Sequence, residues 1–462
     1  LNQKKFHMPT AYTILFLLLI LVAAATWIIP AGSYDYVDGV PVAGTYHTVE
    51  QNPQGVGDVL KAAFSGFYDA VDVCIFILMV GGFLGVVMKT GAVDAGVGNV
   101  IRLLGGREKW LIPILMLLFG LGGTTYGMWE ETMAFYPLLI PVFLAAGNDA
   151  VVGISVILLG AGAGVIASTV NPFATGIAAG FAGVSLGEGI VLRLLEWVAF
   201  EAAAIWFVMA YAAKVKKNPS KSVVGVGAGK IQVSMDQQVP FTAKRKVIMA
   251  LFTLTFLIMV YAVVPFDEMG LSLPALGWWF PELSALFLVA GVVIGLIDRM
   301  SEEELVETYV AGCADLLGVA FIIGISRGIT VLMNDGAITD TVLHWGEQAL
   351  SGAGAISFTL LVFALYLPLT ILIPSSSGLA TLSIPIVAPL GKFAGVGGDL
   401  VVTAFQSASG LVNIITPTAA VVMGALALGH VPYDRWVKYV WKLILWFLLL
   451  ALAFLVAGVL LG

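Results

Sequence analysis

Two adjacent carboxylates, Glu130 and Glu131, stand in the middle of an apolar, glycine-rich stretch, 110–145. Three hydroxyls, Ser375-Ser376-Ser377, interrupt a second such stretch, 352–391. Two more apolar segments are broken by a proline among amides and hydroxyls, at Ser168-Thr169-Val170-Asn171-Pro172 and at Ser407-Ala408-Ser409-Gly410 followed by Asn413-Ile414-Ile415-Thr416-Pro417-Thr418. These residue types have definite chemistry. Proline removes an N–H and frees a carbonyl one turn back. Such carbonyls, with Ser, Thr and Asn oxygens, are hard neutral ligands suited to Na⁺, and a half-helix N-terminus offers N–H groups to a carboxylate. Paired glutamates attract a guanidinium or an ammonium and repel a dianion.

The candidate substrate-binding residues are therefore Trp129, Glu130, Glu131, Thr132, Asn171, Ser375, Ser376, Ser377, Asn413, Thr416 and Thr418. Ser168, Thr169, Asn171, Ser409 and Asn413 are the candidates for a Na⁺ site. Trp129 and Tyr126 are placed to stack on a cationic side chain. Three roles fit the glutamates: binding a substrate cation, titrating as a proton-coupling site, or pairing with Arg327, the one basic residue within a span and away from its ends. No Ser-His pair, histidine-rich metal motif or nucleotide loop appears, so no enzyme and no cofactor is expected beyond Na⁺ or H⁺ as a coupling ion. Cys74 and Cys313 lie in apolar runs and form no disulfide framework. Asp69, Asp72, Glu196, Glu201 and Asp315 read as structural or solvated acids.

The elements that position these residues follow from composition. The 462 residues are 60% hydrophobic and 11% charged, with 53 glycines. So few charges cannot cover a soluble globule of this size, which excludes a cytosolic enzyme, a nucleic-acid binder and a disordered chain. Long Gly/Ala/Leu runs exclude an outer-membrane barrel, whose strands alternate. An all-α polytopic membrane protein remains, its surface facing the lipid bilayer.

Stretches of about 20 apolar residues fall at 9–30, 66–88, 150–182, 192–213, 247–265, 282–297, 308–333, 397–429 and 438–461. The stretches 110–145 and 352–391, too long for one crossing and interrupted midway, read as re-entrant hairpins. With the N-terminus cytoplasmic, 18 of the 22 basic residues fall on the cytoplasmic side, which places the C-terminus outside. The first span carries no obvious cleavage site before Trp27-Ile28-Ile29-Pro30. The polar segment 214–246, with eight basic residues, reads as a cytoplasmic linker.

The halves on either side of that linker match at an offset of 245 residues: Val86–Val93 over Val331–Ile338, Glu130-Glu131-Thr132 over Ser375-Ser376-Ser377, and Pro172 over Pro417. An odd number of crossings between the copies inverts the second, a recurring plan of secondary transporters. The division expected is 1–109 scaffold helices and first repeat start, 110–182 first part of a transport domain, 183–213 scaffold helix, 214–246 linker, 247–351 scaffold helices, 352–429 second part of the transport domain, and 430–462 C-terminal scaffold helix.

The stretches Gly127-Met128-Trp129-Glu130-Glu131-Thr132, Thr169-Val170-Asn171-Pro172-Phe173, Pro374-Ser375-Ser376-Ser377-Gly378 and Asn413-Ile414-Ile415-Thr416-Pro417-Thr418 resemble the ion transporter superfamily. Within it they are similar to the C4-dicarboxylate anaerobic carrier and arginine/ornithine antiporter-like (YfcC-like) family, along nearly the whole chain. The resemblance implies a bacterial inner-membrane homodimer with an elevator-type transport domain moving a small molecule. The glutamate pair departs from the neutral tips of related carriers. It turns the expectation toward amino acids, most of all basic ones (arginine, ornithine, lysine), by exchange or cation coupling; a Na⁺- or H⁺-coupled carrier of C4-dicarboxylates or other carboxylates is the alternative.

Overall fold

A computed structural model of the chain describes residues 11–93, 95–96, 107–125, 127–185, 187–225, 240–263, 273–274 and 276–461. Tyr126 and residues 226–239 of the expected linker lie outside the described residues.

The helices begin with α1 (Ala11–Ala25). Two short antiparallel ladders follow, β1 (Gly32–Ser33) with β4 (His47–Thr48) and β2 (Tyr36–Val37) with β3 (Val40–Pro41). Next come α2 (Val56–Asp69), α3 (Val71–Lys89), α4 (Leu111–Thr125), α5 (Tyr136–Ala145), α6 (Ala150–Ile166), α7 (Ile177–Ala182) and α8 (Ile190–Lys217). The second half supplies α9 (Ala243–Val263), α10 (Phe280–Asp298), α11 (Glu302–Asp335), α12 (Thr339–Leu350), α13 (Ala355–Leu372), α14 (Ser376–Phe393), α15 (Gly398–Asn413), α16 (Ala420–Leu428) and α17 (Tyr433–Leu461). By length and composition α3, α10, α11, α13 and α17 can each cross a membrane. The protein is a multi-pass helical membrane protein with broken helices.

Helix order keeps the offset of 245 seen in the sequence to within a few residues. Leu111–Thr125 answers Ala355–Leu372, Ala150–Ile166 answers Gly398–Asn413, Ile177–Ala182 answers Ala420–Leu428, and Ile190–Lys217 answers Tyr433–Leu461. At the centre stand α6, buried along its whole length, and α15, buried everywhere except Asp399. Small residues allow this. A Cβ on Gly164 would lie 2.2 Å from the Gly120 carbonyl oxygen, and one on Gly123 would lie 2.3 Å from that of Ala161, so α4 and α6 touch backbone to backbone. Likewise α2 and α3 pack along α11, with Gly66 against Gly324 and Gly328 and Gly81 against Gly312.

Helix α8 packs on α4 and α6, and α17 on α13 and α15. Two features differ from the sequence expectation. The span 66–88 is split at Ala70, so that α2 and α3 together run along the single long α11. The expected outer loop holds the β-ladders, which dock on α12. There the Tyr34 N–H and the Tyr36 hydroxyl donate to the two oxygens of Asp340 (3.0 and 2.8 Å), the Tyr34 hydroxyl donates to Glu347 (2.8 Å), and Tyr46 stacks on His344 at 4.0 Å. Two-residue strands carry no periodicity to read.

Candidate functional site

The site forms where four helices stop short. Between α4 and α5 the chain turns through Gly127, whose φ of +77° suits only glycine, and then makes a 3₁₀ turn over Glu130–Phe135. A Cβ at Gly127 would also lie 2.5 Å from the Asn171 side chain. Hence the first tip is fitted against the first break. Thr124 joins the two: its carbonyl accepts from the Thr169 and Val170 N–H groups (2.9 and 3.2 Å), and its hydroxyl donates to the Ala167 carbonyl (2.8 Å). After the break the chain winds one π-turn, closed by the Gly176 N–H on the Asn171 carbonyl at 2.8 Å.

The second half contributes two further helix ends with other chemistry. Helix α13 ends at Leu372, and Ser375 caps α14 by accepting from the Gly378 N–H at 3.2 Å. The backbone N–H groups of the first turn of α14 thus open at the serine tip. Between α15 and α16 the freed carbonyls already have donors. Ile414 accepts from the Trp436 indole (3.1 Å), Ile415 from the Tyr433 hydroxyl (2.8 Å) and Thr418 from the Ser326 hydroxyl (2.6 Å).

These ends enclose a cavity of about 150 Å³. Its walls carry Trp129, Glu130 and Glu131 from the first tip, Asn171 from the first break, Ser375, Ser376 and Ser377 from the second tip, and Asn413 and Thr418 from the second break. Two other candidates are not among the lining residues: Thr132 donates to the Trp129 carbonyl, and Thr416 bonds the Thr418 hydroxyl at 2.9 Å. Glu131 is buried and accepts from the Trp129 N–H at 3.1 Å, while Glu130 is partly open to the cavity.

Of the five Na⁺ candidates, Asn171 and Asn413 reach the cavity wall. The Ser168 hydroxyl accepts from Thr175 (2.6 Å), the Thr169 hydroxyl donates to the Thr124 carbonyl (3.0 Å), and Ser409 is buried without a hydrogen-bond partner. Among the described residues no cluster of His, Cys, Asp or Glu could hold a metal ion.

Arg327, whose role the sequence leaves open, lines the same cavity. Its Nε lies 3.8 Å from Asp69 Oδ2 of α2, and the guanidinium is also within electrostatic reach of Glu130 at the first tip. Ser326, Trp279 and Phe280 also line the cavity and escape the sequence reading. Arg327 was the visible signal, as a lone cation at membrane depth; Trp279 precedes α10, where no motif points inward. Asp315 is exposed, and Asp69 is half-exposed in its pair with Arg327.

A multi-pass helical protein that converges two broken helices and two tips on one cavity with charged, amide and hydroxyl groups in its walls is a secondary-active membrane transporter of small molecules, not an enzyme. The chain belongs to the C4-dicarboxylate anaerobic carrier (DcuC) family, whose model matches residues 8–460. It is 35% identical to an uncharacterized protein of Haemophilus influenzae, covering 99% of this chain and 98% of that one. It is 30% identical to the putative basic amino acid antiporter YfcC of Escherichia coli, covering 94% and 93%. Among solved structures it is similar to the YdaH transporter of Alcanivorax borkumensis, at a TM-score of 0.45 and 14% identity over 96% of this chain and 98% of that one.

Proposed function

We propose that this protein is a secondary carrier of small carboxylates. The substrate carboxylate sits between the Arg327 guanidinium and the N–H groups that open α14 at Ser375–Ser377. The observation that carries this reading is that Arg327 and the serine tip line the same cavity. A guanidinium matches a carboxylate in shape and charge, and the family description supports the same substrate class.

A second reading is favoured by Glu130 and Glu131, which face that cavity as well. They suit a substrate that carries a positive charge beside its carboxylate, which describes arginine, ornithine and lysine and rejects a second carboxylate. The name given to the Escherichia coli relative supports this reading.

The transport cycle fits alternating access by an elevator-type movement. The tips and breaks of the two halves form the moving part, α3 and α11 belong to the scaffold, and the halves are inverted repeats. Helix α4 spans 15 residues and α5 spans 10, roughly 22 and 15 Å at 1.5 Å per residue. Each falls short of a hydrocarbon core of about 30 Å, which supports a re-entrant hairpin. The chain is placed in a bacterial inner membrane with the N-terminus cytoplasmic and the C-terminus outside, as a homodimer, with H⁺ or Na⁺ as coupling ion.

Counterflow into proteoliposomes preloaded with succinate, arginine or ornithine, with and without a Na⁺ gradient, tests the reading. Uptake of labelled succinate into succinate-loaded vesicles supports a carboxylate carrier, and arginine–ornithine counterflow without succinate uptake supports the second reading. Counterflow of none of them overturns both.

A further inference from the structure

Glu196 and Glu201 stand on α8, away from the cavity. Both are buried, Glu196 fully and Glu201 to 2% exposure. Glu196 Oε1 accepts from the Ser407 hydroxyl of α15 at 2.9 Å, and its Oε2 has no partner. Glu201 has no hydrogen-bond partner at either oxygen and lies against α4, where a Cβ on Gly120 would be 2.4 Å from Oε2. Gln406, beside Ser407, donates to the Val165 carbonyl at 2.7 Å, and its own Oε1 is likewise buried without a partner. Val165 lines the substrate cavity.

The unpartnered oxygens here are all acceptors. A buried ionised carboxylate needs a cation or several donors; a neutral one carries its own O–H. The charged surroundings are few. Arg193, one turn before Glu196, is buried, donates to the Glu188 carbonyl at 2.8 Å, and lies within electrostatic reach of Asp399 on α15 as well as of Glu196. No titratable side chain occurs on α4 or α6, nor on α17 from Leu443 to Leu461. Tyr439 of α17 faces Phe207 and Tyr211, further along α8. The Trp197 indole N–H stands beside Glu201 as a donor within reach of it.

We propose that Glu196 and Glu201 form the proton-binding site that couples transport to the pH gradient. Glu201 reads the first half of the chain through α4, and Glu196 reads the second through Ser407 on α15. A carboxyl O–H forms as a proton arrives from one aqueous phase and breaks as the proton leaves to the other. One positive charge moves with each proton, and no other reactant is consumed. The inference rests on the carrier reading, because a coupling site has meaning only in a transporter.

The test is purified protein in proteoliposomes with a pH-sensitive dye inside, assayed with succinate and with arginine. Wild type is expected to show substrate-dependent proton flux. The E196Q/E201Q double variant is expected to keep substrate counterflow and to lose the proton flux to background. Undiminished proton flux in the double variant overturns the proposal, as does wild-type transport driven by Na⁺ with no proton flux. Should the Gln variant lose counterflow too, E196D/E201D decides. Counterflow and proton flux both restored by the acid support the proposal; counterflow restored without proton flux, or no restoration, overturns it in favour of a packing role. Absence of any wild-type counterflow fails the carrier reading itself, a result distinct from the proton readout.

Discussion

Gly127→Ala separates backbone strain from steric fit at the first tip. Gly127 has φ +77°, and a Cβ there would lie 2.5 Å from Asn171 Nδ2 and 2.6 Å from Oδ1. Forcing an L-residue into the left-handed region costs about 1–2 kcal/mol. Overpacking a closed site adds about 1–3 kcal/mol. The Asn171 side chain is the part able to give, and its retreat takes an amide from the cavity wall. The two terms together predict a loss of about 2–5 kcal/mol, with a weakened site. Gly147 isolates the first term: its φ is +82° and nothing lies within 4 Å of its Cβ position. Gly147→Ala should therefore cost only about 1–2 kcal/mol and leave counterflow kinetics intact. Gly180, helical and also open, needs neither a special φ nor space. Ala there should stabilise by up to about 1 kcal/mol. Thermal unfolding of the detergent-solubilised variants gives the order Gly180→Ala, wild type, Gly147→Ala, Gly127→Ala. A Gly127→Ala protein that melts with Gly147→Ala and has a wild-type KM refutes the claim that Asn171 is held by the missing Cβ.

Other outcomes follow from the same geometry. Arg327→Gln should raise the KM for a carboxylate substrate about 10- to 100-fold, since hydrogen bonds to charged groups contribute about 1.5–3 kcal/mol. Asp69→Asn, which breaks a half-exposed pair at 3.8 Å, should cost at most about 1 kcal/mol in a melt. Trp436→Phe removes the donor to the Ile414 carbonyl from a fully buried site; an orphaned acceptor costs about 1–3 kcal/mol, visible as a lower Tm. The docked β-ladders should loosen in alkali. Burial and the neighbouring Glu347 and Asp340 carboxylates raise the pKa of Tyr34 and Tyr36 above the ordinary 10.0. A raised folded-state pKa gives stability that is complete below about pH 10 and lost as pH climbs above it. Limited proteolysis of 32–48 across that window should show cleavage rising with pH in wild type, and already elevated at neutral pH in Asp340→Asn.

What the sequence revealed was whatever apolar length and its interruptions encode. Gly127, Pro172, the serine tip and Pro417 each stand out because they break a long hydrophobic run, and each proves to be where a helix ends beside the cavity. Contacts between distant segments left no such trace. Nothing in the run around Ser326 says that its hydroxyl reaches the Thr418 carbonyl, nor does the segment before Phe280 place Trp279 at the cavity. The freed carbonyls that suggested a Na⁺ site illustrate the same gap. Their proline is legible at once, but the Trp436 and Tyr433 donors that occupy Ile414 and Ile415 come from α17, beyond the intervening α16. Glu196 and Glu201 looked like ordinary structural acids because the unpartnered oxygens they bury are a property of packing.

The repeat relation bears on the substrate question through charge. At the offset of 245, Glu130-Glu131-Thr132 answers Ser375-Ser376-Ser377, and Arg327 answers Gly82. The first half thus supplies acids where the second supplies hydroxyls, and the second supplies a cation where the first has glycine. Gly82 has no room for a longer side chain, since its Cβ position is 2.1 Å from the Tyr309 ring. The two halves therefore enclose a cavity with unlike charge on its walls. A substrate bearing both a carboxylate and an ammonium or guanidinium can satisfy both walls at once; a dicarboxylate satisfies Arg327 and meets the glutamates with its second charge. Under the carboxylate reading, then, Glu130→Gln and Glu131→Gln should improve succinate counterflow. Under the amino-acid reading the same variants should abolish arginine counterflow and leave succinate a non-substrate. Unchanged transport of both compounds in both variants would mean that the glutamate tip does not face the substrate at all.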